Sequence, residues 1–357
     1  MRKFLFVVAP IAIVVLVAWG LLQSPAVDTW IYTQAAKRAV SGTDAKLSSP
    51  GELSVLLCGT GSPLPDKSRA SACTLIAAGG HLYLIDAGLD SARNLLLWHV
   101  PLNKIDGILI THFHSDHIAE LGELRLQTWV AGRRVPLPVY GPPGIEQVVA
   151  GFNEAYSLDA SYRTAHHGAA MLPLDAVAMV PKVVTMNADG TAPVLSRDGL
   201  TITAIRVNHG PVKPSYGYRF DFAGRSIVVS GDTAPTDNLV KASKGADVLV
   251  HEALSPELVG ILGNAMTAAG RTRPAKIMHD IPSYHTSPVA AARIANQAHV
   301  RLLVYTHLIP VLPDAIAERA FLRGVSDVRP DGVVLGHDGL IVRLPGHSDR
   351  IEQDDLN

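Results

Sequence analysis

The chain has 357 residues, 48% hydrophobic and 18% charged, and its 31 Lys and Arg nearly cancel its 32 Asp and Glu. This composition excludes wholesale disorder and supplies no global positive field for holding nucleic acid, although a local basic patch stays open. The 15 histidines are many for this length, and several fall in clusters.

Residues 4–22 form an apolar run just long enough to span a bilayer. Arg2 and Lys3 precede it, which keeps the N-terminus cytoplasmic and exports the rest. The expectation is a membrane anchor or signal segment over residues 1–25. A weak small-x-small site at Ser24-Pro25-Ala26 offers cleavage as the alternative. Residues 26–50 read as a linker, residues 51–346 as the main domain, and residues 347–357 as a polar tail that frays.

Residues 52–57 read as a strand, ended by Gly59-Thr60-Gly61-Ser62. Residues 72–77 and 81–86 read as two more, around a Gly79-Gly80 turn. Cys58 and Cys73 sit here. Two small buried thiols is the simpler reading, and a disulfide across neighbouring strands is the other. Asp86 ends a strand, where a carboxylate suits the orienting of ligand loops by hydrogen bonds.

Residues 105–110 read as a buried strand that runs into Thr111-His112-Phe113-His114-Ser115-Asp116-His117. Imidazole and carboxylate are ligands suited to zinc. His112 and His114, two apart on extended backbone, can point into one site. Asp116 and His117 follow the turn and can serve a second metal. H-x-H-x-D-H at a strand-to-helix junction is a specific pattern.

A helix is expected over residues 145–156. His166 and His167 are not at ligand spacing and read as solvated or pocket-wall side chains. A β-rich half follows, with His209 after one strand and Asp232 after another. Each alone is ordinary loop chemistry. With the central motif they supply what two metals lack: His209 completes the first site and Asp232 bridges both. Residues 247–251 form a strand ending in His251-Glu252-Ala253, and residues 257–269 look helical. His285-Thr286-Ser287-Pro288 opens another helix, with Thr286 or Ser287 as its cap. His307, after the strand 302–305, is the remaining ligand of the second metal. A helix over 313–323 leads to a hairpin of residues 332–335 and 340–344 around Gly336-His337-Asp338-Gly339.

Taken in order, these motifs resemble the metallo-β-lactamase superfamily, in its ribonuclease Z and arylsulfatase-like branch, over roughly residues 52–345. The resemblance implies an α/β fold, a four-layer αββα sandwich with metals at one edge between the sheets, here preceded by the transmembrane or signal helix. It implies two zinc ions per chain, with manganese or iron also able to occupy such sites. His112, His114 and His209 match the first ion's ligands, Asp116, His117 and His307 the second's, and Asp232 the bridge. His285 matches a histidine beside the scissile ester. Two departures stand out. Residues 151–200 lack the basic, glycine-rich arm with which ribonuclease Z grips tRNA. From His251 to His285 is 34 positions, a long and partly apolar stretch that could form a pocket wall.

The expected activity is therefore an exported, membrane-anchored dinuclear zinc hydrolase that cleaves phosphodiester or sulfate esters by hydroxide attack. Asp116 and His285 are the catalytic candidates, the first to orient the nucleophile, the second as acid or charge stabiliser. The expected partners are a small-molecule phosphate or sulfate ester and the membrane. Nucleic acid is disfavoured, and a homodimer is compatible with the sequence. The catalytic domain would face the periplasm, or be released there or secreted if the segment is cleaved. Three alternatives are a tRNA 3′-processing endoribonuclease, a thioester or lactam hydrolase of the same fold, and a non-enzymatic metal-binding envelope protein. Asp232 stands where many zinc lactamases have cysteine, and an intact ligand set disfavours a non-enzyme.

Overall fold

The computed structural model describes residues 19–20, 23–40 and 46–356. The expected membrane segment, residues 4–22, falls outside the described residues apart from Trp19 and Gly20. No described helix is long and apolar enough to cross a membrane. Helix Pro25–Val40, which starts at the last residue of the expected anchor and runs into the expected linker, belongs to a separate N-terminal unit that ends at Asp44.

The main unit starts with β1 (Glu52–Gly59), β2 (Cys73–Ala78), β3 (His81–Ile85), β4 (Ile105–Leu109), β5 (Leu137–Gly141) and β6 (Met179–Val183). Then come β7 (Thr191–Arg197), β8 (Leu200–Arg206), β9 (Tyr216–Phe222), β10 (Arg225–Val229), β11 (Val248–Leu254), β12 (Leu302–Ile309) and β13 (Val333–Leu335). The last two are β14 (Leu340–Pro345) and β15 (Glu352–Asp355). One sheet has the order β15-β14-β1-β2-β3-β4-β5-β6, the other β13-β12-β11-β10-β9-β8-β7.

Side-chain alternation along the strands builds the layers. Leu53, Val55 and Leu57 of β1 face the other sheet and join Ile202, Phe220, Val250 and Val304 in the central core. Leu56 and Cys58 point the opposite way, into a second core where Leu84 and Ile108 meet Leu95, Leu121 and Leu124 of covering helices. On the far side of the second sheet, Val228, Leu249 and Leu303 pack on Ala291, Ile294 and Ala295 of helix Pro288–Gln297. Two sheets face each other with helices outside both, which is the expected αββα order.

Three sequence expectations change. Residues 332–335 and 340–344 are not a hairpin: β13 pairs parallel with β12 in one sheet and β14 antiparallel with β1 in the other. Asp338, in the crossing between them, accepts hydrogen bonds from the Thr60 and Ala70 amides and from Asn94. The tail expected to fray supplies β15, which pairs with β14. Cys58 and Cys73 form a disulfide.

Strands β3 to β6 are parallel to one another, and so are β10 to β13. Their carboxyl ends open on one edge, where ligand-bearing loops of α/β sheets collect.

Candidate active site

The loop after β4 carries Thr111 to His117, and the short helix Ser115–Ile118 turns Asp116 and His117 inward. The second sheet fixes this loop from the other side, through the Tyr216 amide on the Thr111 carbonyl (3.0 Å) and the Tyr218 hydroxyl on the Ile110 carbonyl (2.7 Å). Asp232 follows Gly231 after β10. A Cβ at Gly231 would lie 2.4 Å from the Tyr216 carbonyl oxygen, and its φ is +59°, so only glycine allows this approach.

His307 reaches the site by a bulge. Glu252 pairs with Thr306 and Ala253 with Leu308, so His307 is the extra residue, and it holds a left-handed φ of 46°. A bulge re-aims a side chain that regular pleating would direct elsewhere.

The seven residues expected as metal ligands converge. His112, His114, His209 and Asp232 form one group and Asp116, His117 and His307 another, with ligand atoms in each group within 4.8 Å of one another. His112 Nε2 and His209 Nε2 lie 3.0 and 3.3 Å from His114 Nδ1. His307 Nε2 and His117 Nε2 lie 3.2 and 3.5 Å from Asp116 Oδ2. One oxygen, Asp232 Oδ2, faces both groups. It is 3.9 Å from His112, 3.8 Å from His209, 3.4 Å from His117 and 3.5 Å from His307. His114 alone is exposed, on the open side of the centre.

The distal ring nitrogens of His117, His209 and His112 are held from behind, while that of His307 is buried without a partner. His117 Nδ1 is 2.7 Å from Asp86 Oδ2, and His209 Nδ1 is 3.1 Å from the Tyr284 carbonyl. Thr111 Oγ1 donates to Asp86 and lies 3.1 Å from His112 Nδ1. A ring that gives its Nδ1 proton outward presents an Nε2 lone pair inward. His117 Nε2 is buried with no hydrogen-bond partner. A lone pair turned toward ionised carboxylates in a buried site is repulsive unless a cation lies between them, so the donor set fits metal.

The electrostatics keep Asp116 and Asp232 ionised and divide the imidazoles: burial opposes the charged form of His117, but Asp232, Asp86 and Asp116 outweigh it and hold that ring well above the usual histidine range. Burial, and then the neighbouring His117, push His112 well below the usual histidine range. Burial opposes ionisation of Asp232, but His307, His117 and His112 outweigh it and hold the carboxyl well below its usual range.

His285 stands beside this centre, its ring 5.0 Å from His209 and 5.8 Å from His307. With Asp232 and His307 it forms a third close grouping. Ser287, not Thr286, caps the helix that follows, accepting from the Ala290 amide. Burial favours neutral His285, yet the Glu252 carboxylate outweighs it and lifts the imidazole to about 9.

Sequence reasoning named the residues 251–253 but gave Glu252 no task. Glu252 Oε1 is 3.1 Å from His285 Nδ1 and accepts the Thr233 and Thr286 amides. The available signal was an acidic residue inside a buried strand end. Thr111 carries no ligand group, and its part is to tie Asp86 to His112. His166 and His167 lie exposed at the end of helix Ser157–His167 and do not join the site.

Comparison with known proteins extends the picture. A beta-lactamase superfamily domain matches residues 81–308. Ribonuclease Z of Mycobacterium bovis (strain BCG / Pasteur 1173P2) is 37% identical over 263 residues, covering 73% of this chain and 87% of that protein. Among solved structures, the metallo-beta-lactamase fold protein YhfI from Bacillus subtilis superposes with a TM-score of 0.61 at 22% identity, over 82% of this chain and 100% of its own. Human tRNase Z, short form, gives 0.58 at 20% identity, over 81% and 98%. At such identities the two structures speak for the fold alone.

These findings correct the main functional expectation. A phosphodiesterase or sulfatase for small esters, the activity expected of the exported, membrane-anchored chain, does not fit relatives named ribonuclease Z at this identity. The same relatives overturn a small-molecule ester as partner and nucleic acid as disfavoured. The missing arm was weighed too heavily, because the likeness runs through the catalytic unit itself. The chain belongs to the metallo-β-lactamase superfamily, among the relatives of ribonuclease Z.

Proposed function

We propose that this chain is a metal-dependent endoribonuclease of the ribonuclease Z type, cutting precursor tRNA on its 3′ side. The observation that carries the reading is identity of 37% over 263 residues in a chain whose seven candidate metal-ligating side chains all converge. A groove of about 780 Å³ beside His209, bordered by Arg206 and Lys213 against the single carboxylate of Asp189, offers a small excess of positive charge for a phosphate backbone despite the neutral total.

His112, His114 and His209 would hold one divalent ion, Asp116, His117 and His307 the other, and Asp232 both; zinc suits this nitrogen and oxygen set. Such ions, when bound, acidify water and neutralise charge on a phosphoryl group. Asp86, Thr111 and the Tyr284 carbonyl keep the imidazoles aimed. Asp116, at the inner wall, orients the attacking water and takes its proton. His285, fixed through Nδ1 by Glu252, is free to offer Nε2 to an oxygen of the scissile ester. There it donates to the leaving oxygen or to a non-bridging one.

The test is incubation of the zinc-loaded chain with a precursor tRNA bearing a 3′ trailer. A single internal cut, weakened steeply by salt, is the expected result. Turnover of bis-p-nitrophenyl phosphate without any cut in the RNA would overturn the ribonuclease reading while leaving a metallohydrolase.

A further inference from the structure

The long stretch between His251 and His285 builds something that the catalytic assignment leaves unused. Helices Pro256–Ala268 and Thr272–Asp280 fold back on one another. They pack so closely that a Cβ on Gly263 would lie 3.0 Å from the His279 ring. Val259, Met278 and Ile281 join Leu254 of β11 and Ile309 of β12 in a small separate core. The helix pair is thereby fastened to the two strands that deliver Glu252 and His307.

Between this pair and the catalytic centre lies a cavity of about 390 Å³. His114, Asp116, Asp232, His285 and His307 line one end. Leu64, Met266, Ile277, Met278, Ile281 and Tyr284 form most of the remaining wall, which also holds the hydroxyls of Ser62 and Ser115 and carries no charged side chain. Ile277 is 55% exposed at the rim. The volume lies in the roughly 300–1,000 Å³ range of small-ligand sites.

We propose that this pocket seats one unpaired nucleobase of the RNA, next to the phosphodiester held at the centre. The proposal rests on the ribonuclease reading above. Its geometry ties the occupant to the reacting group, because the charged end receives the phosphate and the apolar end receives what is attached to it. An uncharged wall cannot hold a second phosphate, and a space of this size admits one flat ring system but no paired stem. Tyr284 supplies the stacking ring, 5.1 Å from both His209 and His285. Methionine and aliphatic side chains adapt to any base face, so the pocket favours the presence of a base over its identity.

The experiment places an abasic nucleotide, one position at a time, at the two nucleotides on either side of the cut in precursor tRNA. In the wild-type full chain, one position should lose roughly tenfold or more in kcat/KM. Ile277→Asp, with Tyr284→Ala as a second variant, should cut intact and abasic RNA at nearly equal rates. Ile261→Asp, on an exposed face of the same helices and outside the pocket, should keep the full discrimination. Unchanged melting temperatures guard against misfolding. Equal cutting of intact and abasic RNA by the wild type overturns the pocket alone, since the ribonuclease reading then survives. Full discrimination in both pocket variants also overturns it. Failure to cut any RNA, intact or abasic, overturns both readings. A lost preference for aryl over methyl phosphodiesters, without any base effect, would assign the pocket to another aromatic group.

Discussion

Strand β11 joins two kinds of buried carboxylate. Beside its amino end, Asp247 meets two guanidinium groups, Arg225 at 2.9 Å and Arg301 at 3.0 Å. Beside its carboxyl end, Asp116 and Asp232 meet imidazoles alone, and one of those, His117, aims an unpartnered nitrogen at them. The first arrangement is complete within the chain, because arginine is always charged and its forked donors satisfy the carboxylate. The second is balanced within the chain only by imidazoles that carry a proton, and a bound cation would take that proton's place. A structural charge is neutralised by a fixed cation of the protein, and a functional one by a proton that a ligand can displace.

The largest expected effect comes from the imidazole end. Asp232→Ala removes the one oxygen shared by both histidine groups. Bound metal and RNA cleavage should fall together, by more than the roughly 10–100-fold typical of losing a group that only supports a ligand. Zinc should raise the melting temperature of the wild type and not that of the variant. Two ions retained at normal turnover would break the contrast drawn above. Asp86→Asn should give the smaller, supporting-group effect on zinc affinity, measured by chelator competition, because it loosens His117 without removing a ligand.

His285 and Glu252 sharpen the same contrast, since they flank the centre without completing it. His285→Ala should leave zinc content intact and lower kcat by roughly 10²–10⁴-fold with less change in KM. Glu252→Gln should do the same more weakly, because the amide can still accept the Thr233 and Thr286 amides but no longer carries charge beside the ring. Loss of zinc from His285→Ala would move this histidine among the ligands, a role compatible with its grouping with Asp232 and His307.

What the sequence discloses follows the same division. His112, His114, Asp116 and His117 are legible because four ligand-type residues crowd one strand-to-helix junction. His209, Asp232 and His307 are legible only against that motif, as polar residues at the ends of apolar runs. The bulge that turns His307 inward is not legible, because it depends on register with β11. Nor is the split of residues 332–335 and 340–344 between two sheets, since a strand-turn-strand pattern says nothing about the partner of each strand. Substrate class was misjudged for a related reason. The absence of an arm is a local feature, while the likeness to ribonucleases is spread over the whole catalytic unit.

The smallest predicted effect concerns the complete end, and it should appear in stability and not in turnover. Asp247 Oδ1 accepts from Arg225 Nη2 and Arg301 Nη1, and Oδ2 accepts from Arg225 Nε and the Ser226 amide. Burial raises the cost of the charge, but these donors outweigh it and hold the carboxyl below its usual range. A carboxyl depressed in the folded state stabilises the fold above its unfolded value of about 3.9, and that contribution is lost as pH falls through the folded value. Asp247→Asn keeps the size and removes the charge, leaving buried Arg225 facing an amide. Urea unfolding at pH 7 should show the variant less stable by about 2 kcal/mol, the scale of a charge-assisted hydrogen bond. The gap should begin to narrow below about pH 3.9, where the unfolded chain takes up the proton, and close once the pH has passed the lower folded value, where folded wild type loses the same charge. Cleavage of RNA under native conditions should not change. A gap that stays constant with pH would mean that packing, not charge, holds this end together, and the contrast between the two ends of β11 would lose its electrostatic basis.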